Sequence, residues 1–238
     1  MRRIIIVLIS LVAMAGSVPT QAHTGYSVSS LRGRWGFFEE FRVGDKYGTS
    51  VGIVRFDGAG GCKVEQVTNG GTKAEAVEQE TDCTYTLRRG GRGTITGAPT
   101  APYSFSIAEH GKAIVFIHDQ AGVVGHGEMR PTGPGRLGPQ SIAGRWSFIH
   151  PAELGGVYET STGTYRFDGL GECFGKFRVN GGAVHRPRDE SFRCTYDVER
   201  DGRGQTSVDH LVVVDSGTRI YLIHGAAFNV GWAELTRL

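Results

Sequence analysis

Hydrophobic and polar positions along this chain alternate over short runs, and each run ends at a glycine-rich turn. Such period-two patterning predicts β-strands of five to ten residues, and no segment sustains the 3.6-residue period of a helix. The first half offers turns at "DGAGG", "NGG", "RRGGRG", "EHGK" and "DQAGV", and the second at "DGLGE", "NGG", "RDGRG", "DSGT" and "HGAAFN". Strands about ten residues apart in a local meander predict an antiparallel sheet of about eight strands in each half, and the sequential hairpins favour a closed up-and-down barrel over a sandwich.

The two halves repeat one another. Trp35 and Trp146 are 111 residues apart, as are Phe56 and Phe167, Cys62 and Cys173, and Tyr85 and Tyr196. The offset then falls to 106, matching His118 with His224 and Glu128 with Glu234, so one five-residue insertion separates the copies. This is the signature of a duplicated unit. The expected organisation is a leader at 1–22, a first barrel at 30–130, a Pro/Gly-rich linker at 131–141 ("PTGPGRLGPQS") and a second barrel at 142–238.

Turn centres predict strand register. A turn at His110-Gly111 sets Ile107 opposite Ile114, Phe105 opposite Phe116 and Tyr103 opposite His118. A turn at Ser216-Gly217 sets Val213 opposite Ile220, Leu211 opposite Leu222 and Asp209 opposite His224. The other face of that second hairpin, with Val212, Val214, Tyr221 and Ile223, is apolar too. Such a face needs cover, from the first barrel or from another molecule.

Of the three ways to pair four cysteines, the duplication selects Cys62–Cys83 and Cys173–Cys194, each pair facing across one hairpin. One disulfide per barrel agrees with an exported protein. Export also follows from the N-terminus, where Arg2-Arg3 precedes the apolar run Ile4 to Gly16 and a small-residue cleavage site lies at Thr20-Gln21-Ala22. The mature chain is therefore expected in the periplasm or outside the cell, with no membrane span; the 13-residue apolar run is short for one. Removing the leader takes two arginines from 26 basic residues, which balances the chain against 24 acidic ones. A chain near neutrality is not a bulk nucleic-acid binder.

Gly33-x-Trp35 and Gly144-x-Trp146, each opening a first strand of a meander, resemble the calycin group of lipocalin- and avidin-like barrels. The resemblance implies that each Trp closes one barrel end and that an Arg from the last strand, Arg130 or Arg237, packs over it. The repeated "FDGxG" and "TYxxxRxGRG" stretches also look like small secreted bacterial barrel proteins of unassigned function.

Candidate chemistry sits where the copies diverge. His150 shares a face with Trp146 and Phe148; Asp209 opposes His224, and Ser207 is expected opposite Tyr196. An Asp beside a His orients an imidazole for acid–base work, but no free nucleophile stands near. In the first copy Glu39 replaces His150 and Tyr103 replaces Asp209, while His118 persists. Glu39, Tyr103, His118, His150, Asp209 and His224 are thus the candidate ligand-binding residues. His118 and His126 are expected to face one another about Gly122, too few ligands for a metal site, and no cofactor is expected. The reading favoured is a non-enzymatic binding protein for a small apolar or amphipathic ligand held in a barrel. The alternatives are a protein-binding module such as a periplasmic protease inhibitor, or a barrel-cavity enzyme using His224 and Asp209. Oligomeric state is open.

Overall fold

The computed structural model describes residues 25–70, 76–154, 156–181, 184–226 and 229–238; the leader expected at 1–22 lies outside them. The chain is all-β, built as two closed antiparallel barrels of eight strands. The first runs through β1 (Gly33–Val43), β2 (Lys46–Phe56), β3 (Gly61–Gly70), β4 (Val77–Leu87), β5 (Arg92–Thr96), β6 (Tyr103–Ala108), β7 (Ala113–His118) and β8 (Val123–Pro131). The second runs through β9 (Gly144–Leu154), β10 (Val157–Phe167), β11 (Glu172–Gly181), β12 (Val184–Val198), β13 (Arg203–Thr206), β14 (Asp209–Val214), β15 (Arg219–His224) and β16 (Asn229–Arg237). Pairing of β8 with β1 and of β16 with β9 closes each barrel and leaves no free sheet edge.

Register follows the turns. Phe105 opposes Phe116, Tyr103 opposes His118 and Asp209 opposes His224. The first of these turns is wider than the two-residue form expected: Glu109 and His110 adopt φ of 48° and 57° before Gly111 at 92°, and Asp215, Ser216 and Gly217 repeat the left-handed run. Cys62 opposes and bonds Cys83, and Cys173 opposes and bonds Cys194, so each disulfide clips two neighbouring strands.

Both barrel floors are built alike. A short 3-10 helix (Val28–Leu31, Pro139–Ile142) crosses the end, and its last carbonyl accepts the indole N–H of Trp35 (3.0 Å) or Trp146 (2.8 Å). Arg237 lies over the Trp146 ring at 4.8 Å. Arg130 departs from the expected stacking: it opposes Gly36, on the outward side of β8, and its guanidinium engages Glu109, Glu128 and, at 3.4 Å, Asp215 of the second barrel. Arg237 opposes Trp146, whereas Pro131 opposes Trp35. The two arginines thus differ by one residue in register, enough to place them on opposite faces.

The apolar outer face of β14 and β15 is covered by the first barrel. Val212, Val214, Tyr221 and Ile223 pack on Phe38, Val51 and Ile53 of β1 and β2. Trp232 stacks on Phe38 (4.2 Å between centroids) and donates to Glu40 Oε2 at 2.8 Å. Tyr221 donates to Glu128 Oε1 at 2.6 Å, and Asn69 Nδ2 reaches the carbonyls of His224 (2.7 Å) and Asn229 (2.9 Å). The contact is head-to-tail: β1–β2 of one barrel meets β14–β15 of the other. No described helix is long and apolar enough to cross a membrane.

Candidate functional site

Each barrel carries a polar cluster at the end opposite its Trp floor, and the two clusters are wired differently around the shared histidine. In the first, Glu39 on β1 is fully buried and accepts hydrogen bonds from Tyr103 (2.8 Å) and Thr100 (2.9 Å). Thr100 and Tyr103 hydroxyls also touch one another. His118 Nδ1 donates to the Thr100 carbonyl (3.0 Å), which leaves Nε2 facing Glu39 Oε2 at 3.4 Å with no hydrogen bond. Burial, with the Glu39 charge next, pushes the Tyr103 phenol well above its ordinary range. The side chains of His118 and Glu39 have no exposure. Phe41 lies against His118 (5.6 Å between centroids) and helps to seal them.

In the second barrel the acid comes from the other side. Asp209 on β14 accepts from His224 Nδ1 at 2.7 Å and, through its second oxygen, from Thr206 (3.2 Å) and more distantly Tyr165 (3.4 Å). The bond to Asp209 fixes the His224 tautomer and leaves Nε2 for another partner. His150 stands edge-on to His224 (4.4 Å, 89°), with Nδ1 3.2 Å from the Ser161 hydroxyl and a buried Nε2 that has no hydrogen-bond partner. Burial, and secondarily the neighbouring His224, hold the His150 imidazole well below its ordinary pKa, so it is neutral. Ala152 occupies the position of Phe41, and the His224 side chain is 20% exposed.

The six candidate residues therefore fall into two separate triplets. Glu39, Tyr103 and His118 form a sealed network; His150, Asp209 and His224 form a network with an open edge. Thr100, Thr206, Ser161 and Tyr165 complete these networks and escape the sequence reading. Thr100 and Thr206 stand 106 residues apart, the offset of the histidines, and that equivalence is the signal that marks them. Two register expectations are corrected. Thr206 opposes Tyr196 in place of Ser207, which turns Thr206 inward to Asp209. His126 opposes Ile117 and lies outside the barrel beside Glu40 (3.4 Å), away from His118.

The barrel interiors are filled. Phe37, Gln66, Tyr103 and Phe116 help to enclose a void of about 10 Å³ in the first barrel, room for about one water. In the second, Phe148, Tyr165, Phe177 and Phe192 occupy the middle, with centroids 5.2–6.4 Å apart. The first barrel has no interior space for a ligand larger than about one water. Among the described residues no three His, Cys, Asp or Glu side chains converge on a possible metal position.

No protein-family model and no curated protein matches this chain. Solved structures similar to it include a protein of unknown function from the DUF3598 family of Nostoc punctiforme (9% identity, TM-score 0.27, 88% of this chain and 97% of that one covered). The S-type phycobiliprotein lyase CPES of Guillardia theta is similar over 91% of this chain and 95% of its own (8% identity, TM-score 0.26). Kievitone hydratase of Nectria haematococca is similar over 92% and 94% (8% identity, TM-score 0.30). Superpositions this loose carry no argument about function.

Proposed function

We propose that this chain is an exported binding protein, organised as leader, calycin-like barrel, linker and second barrel, that takes a small amphipathic ligand at the open rim of the second barrel. The observation that carries the reading is the contrast between two equivalent histidines. His118 is sealed, whereas His224 is held by Asp209 and remains 20% exposed. A pre-oriented imidazole at a rim offers one directional hydrogen bond. The two disulfides fit the oxidising compartment this requires. Nucleophilic catalysis at the Asp209–His224 pair lacks a nucleophile among the described residues, because the four cysteines are bonded and Ser161 contacts His150 rather than His224.

Native mass spectrometry of the protein recovered from its own host tests this. The expected result is a retained small molecule that is lost from Asp209→Asn and from His224→Ala. Retention by both variants, or an empty wild-type protein, rejects the rim of the second barrel as the site.

A further inference from the structure

The outer wall of the second barrel carries a row of unanswered cations. On the exposed face, Arg145 of β9 opposes Arg166 of β10, Arg166 opposes Phe174 of β11, and Phe174 opposes Arg193 of β12. Lys176 stands two residues along β11 on the same side. Arg145, Arg166, Lys176 and Arg193 are all exposed, and none makes a side-chain ion pair or hydrogen bond among the described residues. Phe174 is 42% exposed between two guanidinium groups, at the side of a shallow hollow of about 690 Å³ that Arg166 and Arg193 line with Thr195 and Ser207. The acids at the hollow's lower edge are Glu172 and Asp168, and Asp168 is occupied by the N–H groups of Leu170, Gly171 and Glu172.

The first barrel shows what the same wall looks like when charge is balanced. At the positions of Phe174, Lys176, Ser191 and Arg193 it has Lys63, Glu65, Glu80 and Asp82. There Arg55 pairs with Glu65 and Asp201, and Lys63 with Glu80. The second copy has thus lost three acids from this wall, exchanged the cation Lys63 for the exposed ring Phe174 and gained two cations, Lys176 and Arg193. Phe174, Lys176, Ser191 and Arg193 face solvent, whereas Glu65 of the first barrel is 12% exposed and also pairs with Arg203 across the contact between the barrels.

We propose that this wall binds an acidic polysaccharide, a chain of carboxylate-bearing sugars. The row crosses four strands, a line of about 14 Å at the usual strand spacing, and successive strands are about one extended sugar residue apart. Guanidinium forks donate to carboxylates in two-point contact, and Phe174 offers a flat apolar face to a ring between them. Thr164, Ser191 and Thr195, exposed or half-buried on the same face, supply hydroxyl contacts. The chain's balanced overall charge is unlike that of a nucleic-acid binder.

The test uses the disulfide-bonded protein against polygalacturonate, with duplex DNA and anionic phosphatidylglycerol vesicles as competitors, at low and at physiological ionic strength. Polygalacturonate should bind saturably, and Arg166→Ser with Arg193→Ser should weaken it about tenfold or more and flatten its salt dependence. Phe174→Ala should weaken binding while leaving the salt dependence unchanged, and Lys63→Ser on the first barrel should change neither. Thermal melts must match wild type, as expected for exposed positions. Absence of binding at low ionic strength, or binding undiminished in the double variant, overturns the proposal. Preference for vesicles or DNA through the same arginines overturns it in favour of a membrane or a nucleic acid.

Discussion

His150 is the residue whose environment has the most direct consequence for solution behaviour. Its imidazole is buried, faces Ser161 and His224, and is held neutral well below its ordinary pKa of 6.5. The unfolded chain binds a proton at this residue as pH falls through that ordinary value, and the folded chain does not. The unfolded state therefore holds more protons in that range, and stability declines as pH falls, by up to about 1.4 kcal/mol per pH unit. His150→Gln should flatten the dependence, read as the difference in denaturation midpoint between neutral and mildly acidic buffer. His210, also depressed by burial, contributes the same sign and remains in both proteins. A second residue-scale expectation concerns access. Diethyl pyrocarbonate should modify His224 in the folded protein and spare His118, and Phe41→Ala should make His118 reactive, read by mass spectrometry of the digest. Equal reactivity of the two histidines in wild type would remove the distinction on which the rim site rests.

At the scale of strands and hairpins, the disulfides are the clearest stabilising devices. Each closes a chain segment of 21 residues, so replacing Cys62 and Cys83 by Ala should lower stability by about 3 kcal/mol in urea denaturation. The same elements show what could be read in advance. Turn centres give the observed register of Phe105 with Phe116 and Asp209 with His224, and the duplication gives Cys62 with Cys83. Arg130, His126 and Ser207 were misplaced by one residue each, because a single step in register moves a side chain to the opposite face while hardly changing the hydrophobic pattern. The two clusters were half-legible for a different reason. Asp209 lies directly across a hairpin from His224, a local relation, whereas Glu39 reaches His118 across the barrel from β1. Only barrel closure creates the second relation, and no local pattern encodes it. His118 accordingly looked like a residue without its acid.

At the scale of the whole molecule, the two barrels are one structural unit, and the interface is specialised to let them meet only once. Barrel one presents Phe38, Val51 and Ile53, where the second barrel has Ile149, Thr162 and Thr164; barrel two presents Trp232 and Tyr221, where the first has His126 and Val115. A head-to-tail contact between like units would otherwise propagate from molecule to molecule. Thr162, Thr164 and His126 make the two unused faces more polar, while Ile149 and Val115 stay apolar and exposed there. Gly36 lies at the closest approach: a Cβ there would stand 2.5 Å from Val214 Cγ1 and 2.8 Å from Val212 Cγ2. Wild-type protein should therefore unfold in a single calorimetric transition. Trp232→Ala removes the Phe38 stack and the bond to Glu40, and should cost about 3–5 kcal/mol. Gly36→Val wedges the barrels apart, at about 1–3 kcal/mol by overpacking. Either change should separate the transition into two, one for each disulfide-clipped barrel. The equivalent substitution on the undocked face, Ser147→Val, should stay within about 0.5 kcal/mol of wild type. Two transitions in the wild-type protein, or one unsplit transition in both interface variants, would show that the barrels are not coupled through this contact.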